Sequence, residues 1–366
     1  MRVALLSPCF WPEVRRGTER FVRELADGLI RREHHPELIT SHNHLPSSRI
    51  EDGLRVLRLP RPPQGRLLRR GYEPYLTHVP LSYMALRAGG YDLAHAVYPA
   101  DALAAARWRR RTGSPAVLSY MGIPDRTGLR EFRKRLDVLL RAIEGCDAVV
   151  ALSRYAAEAF RYWLGYDPRV IPPGVDMNAF QPLAERHPVP TIVCSADALE
   201  PRKHVGLLIE SLGLVRQELP GARLVLSRPR DLGRARRAGL DVDSPGVEWK
   251  VLDDRSALAR AYGEAWVGAL PSSSEAFGLV LAESLACGTP VVGYRDGAIP
   301  ELVDRPELGR VFDRLEPHAV AESLLEAIEL ARRPETREEC RRQAQRYSSE
   351  LCSERYAELY RQLVAS

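Results

Sequence analysis

The sequence is poor in lysine: of its 53 basic residues only Lys134, Lys203 and Lys250 are lysine, so a lysine at a chemically pointed position stands out against arginine. It also lacks any pair of cysteines at CxxC spacing. Cys9, Cys146, Cys194, Cys287, Cys340 and Cys352 are widely scattered, which argues against a disulfide framework or a thiolate metal site and leaves them as core thiols. No apolar run approaches the roughly 18 to 20 residues of a membrane span. Met1-Arg2-Val3-Ala4-Leu5-Leu6 lacks the charged region, long apolar stretch and small-residue cleavage site of a signal peptide, so the expectation is a cytoplasmic protein. Neither sign of charge dominates: 48 acidic residues leave a formal net charge of +5, too mild to imply nucleic acid.

What is present is ordinary globular composition, 45% hydrophobic over 366 residues, enough for two domains of about 150 residues that each bury a core. Short aliphatic runs alternate with amphipathic segments of helical length, the pattern of a parallel sheet with crossover helices. Strands are predicted over residues 3–6, 37–40, 54–59, 93–97, 116–119 and 148–152. A helix is predicted over 18–31, with Phe21, Val22, Leu25 and Leu29 on one buried stripe. Ser153 is a natural N-cap for a helix expected to bury Tyr155, Ala156 and Phe160. The alternation stops at Val170-Ile171-Pro172-Pro173-Gly174-Val175-Asp176, whose prolines and glycine cannot continue an element. It then restarts, with strands over 191–195, 223–227, 247–251, 266–270 and 290–293, helices over 205–218, 256–264 and 277–286, and three mostly helical closing segments, the last over 349–363.

The most informative stretch is residues 271–292. A buried strand ends in Ser272-Ser273-Ser274, Gly278 follows, and a helix opens, so unpaired backbone N–H groups converge with the positive end of a helix dipole. Glu275 lies in the turn, where a carboxylate is often only a cap. Glu283 lies inside a helix whose other residues are Leu279, Val280, Leu281, Ala282 and Leu285, and a carboxylate in apolar surroundings needs a polar partner such as ribose hydroxyls.

This run resembles the two-glutamate motif of the retaining glycosyltransferases of family 4. The likeness extends over nearly the whole chain in family order: Leu6-Ser7-Pro8 to Pro12 and Gly17-Thr18-Glu19-Arg20-Phe21-Val22 for the first strand and glycine loop, where Arg16 stands in place of one of the family's paired glycines, Val149 to Ser153, the hinge signature Ile171 to Asp176 with Phe180, Glu200-Pro201-Arg202-Lys203, and Ser353 to Tyr360 in the last helix. It implies the GT-B fold: two Rossmann-like parallel-sheet domains facing a central cleft, with the C-terminal helix crossing back. Residues 1–175 with 347–366 would bind the acceptor, and residues 176–346 the nucleotide sugar.

The resemblance also implies roles. Lys203, with Arg202, would neutralise the diphosphate leaving group. Glu275 and the amides of Ala276, Phe277, Gly278 and Leu279 would hold the sugar hydroxyls and diphosphate, Glu283 the ribose, and Gly17 would let the first loop approach the same phosphate. The implied reaction is transfer of a hexose from a nucleotide-diphosphate sugar with retention, the sugar nucleotide being a co-substrate. The family uses no metal, and no cofactor is expected. Two departures stand out: Asp197 where the family has an arginine on the diphosphate, and Met121 where it often has a histidine. His95, Asp101 and Met121 are the acceptor-side candidates, and the acceptor itself is not legible. The alternatives are a sugar-nucleotide binder that has lost transfer, and a GT-B epimerase or phosphorylase. The basic stretch Arg58 to Arg70 could touch anionic lipid or nucleic-acid phosphates, but a solvated arginine-rich loop is the preferred reading, and no nucleic-acid partner is expected for the protein.

Overall fold

The structure, a computed structural model, describes residues 1–366 except 12, 15 and 16, so Pro12 and Arg16, quoted above for the first loop, lie outside the described residues. The chain divides into two compact units: unit 1 comprises residues 1–174 and 349–366, and unit 2 residues 175–348.

Unit 1 holds β1 (Arg2–Leu6), β2 (His35–His42), β3 (Ser47–Glu51), β4 (Leu54–Pro60), β5 (Leu93–Ala96), β6 (Ala116–Tyr120), β7 (Ala148–Ala151) and β8 (Arg169–Val170) in the spatial order β3-β4-β2-β1-β5-β6-β7-β8. Every pairing is parallel except β3 with β4. The sequence pattern does not show β3, because Ser47-Ser48-Arg49-Ile50-Glu51 is polar and largely exposed; backbone pairing at a sheet edge, rather than burial, holds it. Strands β5 and β7 are buried at every residue, as expected of inner parallel strands covered on both faces. The covering helices are α1 (Gly17–Arg31), α2 (Gly65–Arg69), α3 (Val79–Gly89), α4 (Pro99–Thr112), α5 (Gly128–Glu131), α6 (Arg135–Gly145) and α7 (Arg154–Leu164). On α7, Ala156 and Phe160 are buried as expected, whereas Tyr155 is 41% exposed.

Unit 2 holds β9 (Thr191–Cys194), β10 (Arg223–Ser227), β11 (Val247–Lys250), β12 (Val267–Leu270), β13 (Val291–Tyr294) and β14 (Gly309–Phe312), in the order β11-β10-β9-β12-β13-β14. All of its pairings are parallel. β14 replaces part of the closing stretch expected to be helical; four residues at a sheet edge are too few to show a period. The helices are α8 (Val205–Glu218), α9 (Leu232–Arg237), α10 (Arg255–Glu264), α11 (Leu279–Ala286), α12 (Ile299–Leu302), α13 (Pro317–Ala331) and α14 (Thr336–Gln345).

The chain then returns to unit 1 as α15 (Ser349–Ala365), which packs on α1. Gly28 permits that approach, since a Cβ there would stand 2.3 Å from the Ser353 Cβ. In each unit the winding reverses at one place: β1 beside β5 in unit 1, and β9 beside β12 in unit 2. Loops leaving the carboxyl ends of two such strands diverge, and ligands of doubly wound sheets bind in the resulting crevice. All six cysteines are free and buried.

Candidate functional site in unit 2

The loop after β9 carries Lys203 and the loop after β12 carries Glu275, so the reversal of winding in unit 2 brings together two residues far apart in sequence. The Lys203 ammonium donates to Glu275 Oε2 at 2.6 Å, and both side chains are largely buried. Arg202 stands 3.6 Å from the same oxygen, reaches the Ser272 hydroxyl at 3.5 Å, and also donates to Glu200 at 3.2 Å. Burial alone would raise the Glu275 carboxyl, but the Lys203 charge and hydrogen bond, then Arg202 and the Ser272 hydroxyl, hold it below its ordinary value. The group is therefore a carboxylate facing two cations. Charge-assisted pairs of this kind are short and geometrically firm.

Backbone geometry aims the pair. Lys203 closes a short 3₁₀ turn, Pro201–Lys203, and His204 follows at φ +47 before α8 begins. A non-glycine residue in that region is strained, and His204 is held there by a 2.6 Å hydrogen bond between its Nε2 and the Ser273 hydroxyl. The Ser273 amide donates to the Arg202 carbonyl at 2.8 Å, so the two loops are tied by backbone as well. Ser274 at φ +50 and Gly278 at φ +93 bracket Glu275, Ala276 and Phe277. The Ser274 amide donates to Asp296 at 2.8 Å, and the Ala298 amide to the Glu275 carbonyl at 2.8 Å. Gly297 is required by this approach, because a Cβ there would lie 2.2 Å from the Glu275 carbonyl oxygen.

These supports were missed in the sequence. Asp296-Gly297 does carry a turn signal, but no local pattern marks His204 or Ser273 as partners. Ala276 and Phe277 are buried, Gly278 caps α11, and Leu279 is its first residue, so the amides that open the helix follow directly on the ion pair. Glu283, the fifth residue of α11, is 3% exposed. Burial, and then the charge of Glu283, push the Cys287 thiol up to about 12. Asp197 is exposed and is satisfied locally, accepting the Leu199 amide at 3.0 Å.

The residues expected on the acceptor side lie in unit 1, and the structure corrects the reading of two of them. His95 is fully buried in β5, its Nδ1 bonded to Tyr360 at 2.6 Å and its Nε2 to Ser119 at 2.7 Å, with its ring stacked on Tyr356. Burial lowers it to about 3, so it is a neutral core histidine that ties α15 to the sheet, with no ring nitrogen left for a substrate. Asp101, in the first turn of α4, is equally buried; its Oδ1 accepts from His78 at 2.9 Å and from Ser82 at 3.1 Å. Met121 is half-buried and packs against the core beside β6. Gly17, the first residue of α1, is exposed, and a Cβ there would meet nothing within 4 Å, so no packing in unit 1 demands the glycine.

Two doubly wound parallel sheets, with the last helix returning to unit 1, are the architecture of a GT-B sugar transferase, and comparison with known proteins agrees on the fold. A family model described as Glycosyltransferase Family 4 matches residues 15–179, and one described as Glycosyl transferases group 1 matches residues 181–347. A D-inositol 3-phosphate glycosyltransferase of Xylanimonas cellulosilytica is 30% identical over 377 residues, 88% of this chain and 87% of its own. A GDP-mannose-dependent alpha-(1-6)-phosphatidylinositol dimannoside mannosyltransferase of Mycobacterium tuberculosis is 31% identical over 209 residues, 54% of this chain and 53% of its own. For that relative, and for another at 46%, the match spans about half of the relative's length. Sucrose-phosphate synthase of Thermosynechococcus elongatus shares the fold over 100% of this chain and 99% of its own, with a TM-score of 0.84 at 23% identity. The chain belongs to glycosyltransferase family 4 and is a sugar-transferring enzyme.

Proposed function

We propose that the enzyme transfers a hexose, with retention, from a nucleoside-diphosphate sugar to a polyhydroxylated acceptor. The observation that carries this reading is the convergence of the Lys203 ammonium and the Arg202 guanidinium on Glu275 at the switch point of unit 2. An anionic diphosphate would exchange places with the Glu275 carboxylate as partner of the two cations, freeing that carboxylate to accept from sugar hydroxyls. As the bond from the anomeric carbon to the diphosphate breaks, negative charge grows on the departing oxygen, and two preplaced cations in a largely buried setting stabilise it. The acceptor hydroxyl attacks on the face that the leaving group vacates, and its proton passes to the departing phosphate. Glu283 is assigned to the ribose, and unit 1 to the acceptor. Arg202 takes the part of the second phosphate cation that Asp197 cannot.

The names of the relatives support the donor and acceptor classes: GDP-mannose in the mycobacterial enzyme and an inositol phosphate in the other. Because the charge is compensated by the chain's own cations, turnover is expected to persist in the presence of a chelator. The test is a panel of UDP- and GDP-hexoses crossed with polyol acceptors, D-inositol 3-phosphate among them, with nucleotide release and the anomeric configuration of the product as readouts. Failure to bind any donor would remove the proposal. Tight donor binding without product on any acceptor would favour a sugar-nucleotide binder that has lost transfer.

A further inference from the structure

The arginine-rich stretch 58–70 divides in two in the structure. Arg58 and Arg61 are used internally: Arg58 pairs with Glu51 and donates to the Trp11 carbonyl, and Arg61 pairs with Glu13 at 2.7 Å and donates to Ser41 at 3.0 Å. Arg66, Arg69 and Arg70, on and just after α2, are exposed and form no ion pair among the described residues. The chain beyond them is stitched to a second basic stretch. Tyr72 bridges Arg133 in the manner of paired strands, the Glu73 amide donates to the Arg133 carbonyl at 3.0 Å, and the Arg133 guanidinium lies 5.0 Å from the centre of the Tyr72 ring. Arg135 completes the join by pairing with Glu73 at 2.7 Å and Glu131 at 2.7 Å.

The join sets the stretch that carries Arg130, Arg133 and Lys134 against the chain leaving α2, and these three are exposed and, among the described residues, unpaired with any carboxylate as well. Leu68 on α2, next to Arg69 in the chain, and Leu136 on α6, two residues after Lys134, are each 43% exposed. Among the described residues, acids neutralise Arg58, Arg61 and Arg135 around the patch and none of its six outer cations.

Cations without acidic partners call for an anionic surface, and leucines set between them call for apolar contact. A soluble polyanion offers the first alone, whereas the face of an anionic bilayer offers both. The geometry points to this patch as a peripheral docking surface for an anionic lipid bilayer, with the six cations on headgroup phosphates and Leu68 and Leu136 entering the headgroup boundary. No helix among the described residues is long and apolar enough to cross a membrane, so the attachment lies on the surface.

The test is flotation of the whole chain with vesicles of phosphatidylcholine alone and of phosphatidylcholine with one third phosphatidylglycerol. Binding is expected only to the mixed vesicles, reversed by high salt because the attraction is screened. The triple variant Arg66→Glu, Arg69→Glu, Lys134→Glu is expected to bind at least about tenfold more weakly. The pair Leu68→Ser, Leu136→Ser should also weaken binding, and Leu68→Trp should blue-shift in fluorescence on the vesicles. All changed side chains are exposed, and an unaltered melting temperature confirms that the variants fold. Absence of flotation overturns the proposal. So does heparin binding that the charge variant loses, combined with vesicle binding that the leucine variant leaves unchanged, since that result defines a polyanion site.

Discussion

Unit 1 carries 30 basic and 21 acidic residues, while unit 2 carries 23 and 27, so a formal +9 stands beside −4 in one chain whose sum of +5 conceals both. The large hydrophobic side chains exposed among the described residues divide unevenly too: eleven lie in unit 1 and three in unit 2. The two sheets share one winding, so fold does not explain the contrast; surface chemistry does. In acidic unit 2, several arginines are absorbed structurally. Arg341, for example, donates to the carbonyls of Phe180, Ala286 and Met177, and Arg305 pairs with Glu339. Against that background Lys203 and Arg202 converge on one carboxylate, Glu275, at the strand reversal, where the proposed function has them compensate one anionic ligand. Unit 1 instead spreads unpaired cations and apolar side chains over its outside.

The sharpest way to break the contrast is at that convergence. Lys203→Ala is expected to lower turnover about a hundredfold or more, with a smaller loss in donor affinity, measured by steady-state kinetics and calorimetry. Glu283→Ala comes next: loss of a hydrogen-bonding carboxylate should weaken nucleotide binding about tenfold, read by titration with the nucleoside diphosphate. A change confined to unit 1 should leave that affinity alone. Tyr360→Phe strips His95 Nδ1 of its partner and is expected to cost about 1 to 3 kcal/mol of stability, seen as a lower melting temperature with unchanged nucleotide affinity.

His95 also sets a pH dependence. It binds a proton below its ordinary 6.5 when unfolded, but only below about 3 when buried. Between those values the unfolded chain holds more protons, so stability should fall as pH drops from about 6.5 towards 3, and His95→Gln should flatten that slope in denaturant titrations. The smallest effect belongs to Asp197→Asn. Among the described residues this exposed carboxylate accepts from the Leu199 amide alone, and stability should move by less than about 0.5 kcal/mol.

Much of this was legible in advance because periodicity and burial are local signals. The inner strands of both sheets read as apolar runs, and the serine turn, Glu275, Gly278 and Glu283 could be placed on a strand, a turn and a helix from spacing alone. Edge strands β3 and β14 escaped, since an edge needs neither alternation nor a buried run. His95 misled for a related reason: a histidine at the end of a strand looks like a site residue until its neighbours are known, and its neighbours, Ser119 and Tyr360, come from distant parts of the chain.

The sequence by itself determined the class of fold and the residue types available for chemistry, because hydrophobic period, turn residues and a rare lysine are properties of short windows. Only the tertiary structure decided which of those residues meet. Lys203 reaches Glu275 because β9 and β12 are neighbours in the sheet, His204 takes its strained backbone because Ser273 holds it, and Tyr72 joins Arg133, which stitches together two stretches separate in the sequence. Contacts of that kind depend on the order of strands and the packing of loops, which no window along the chain contains.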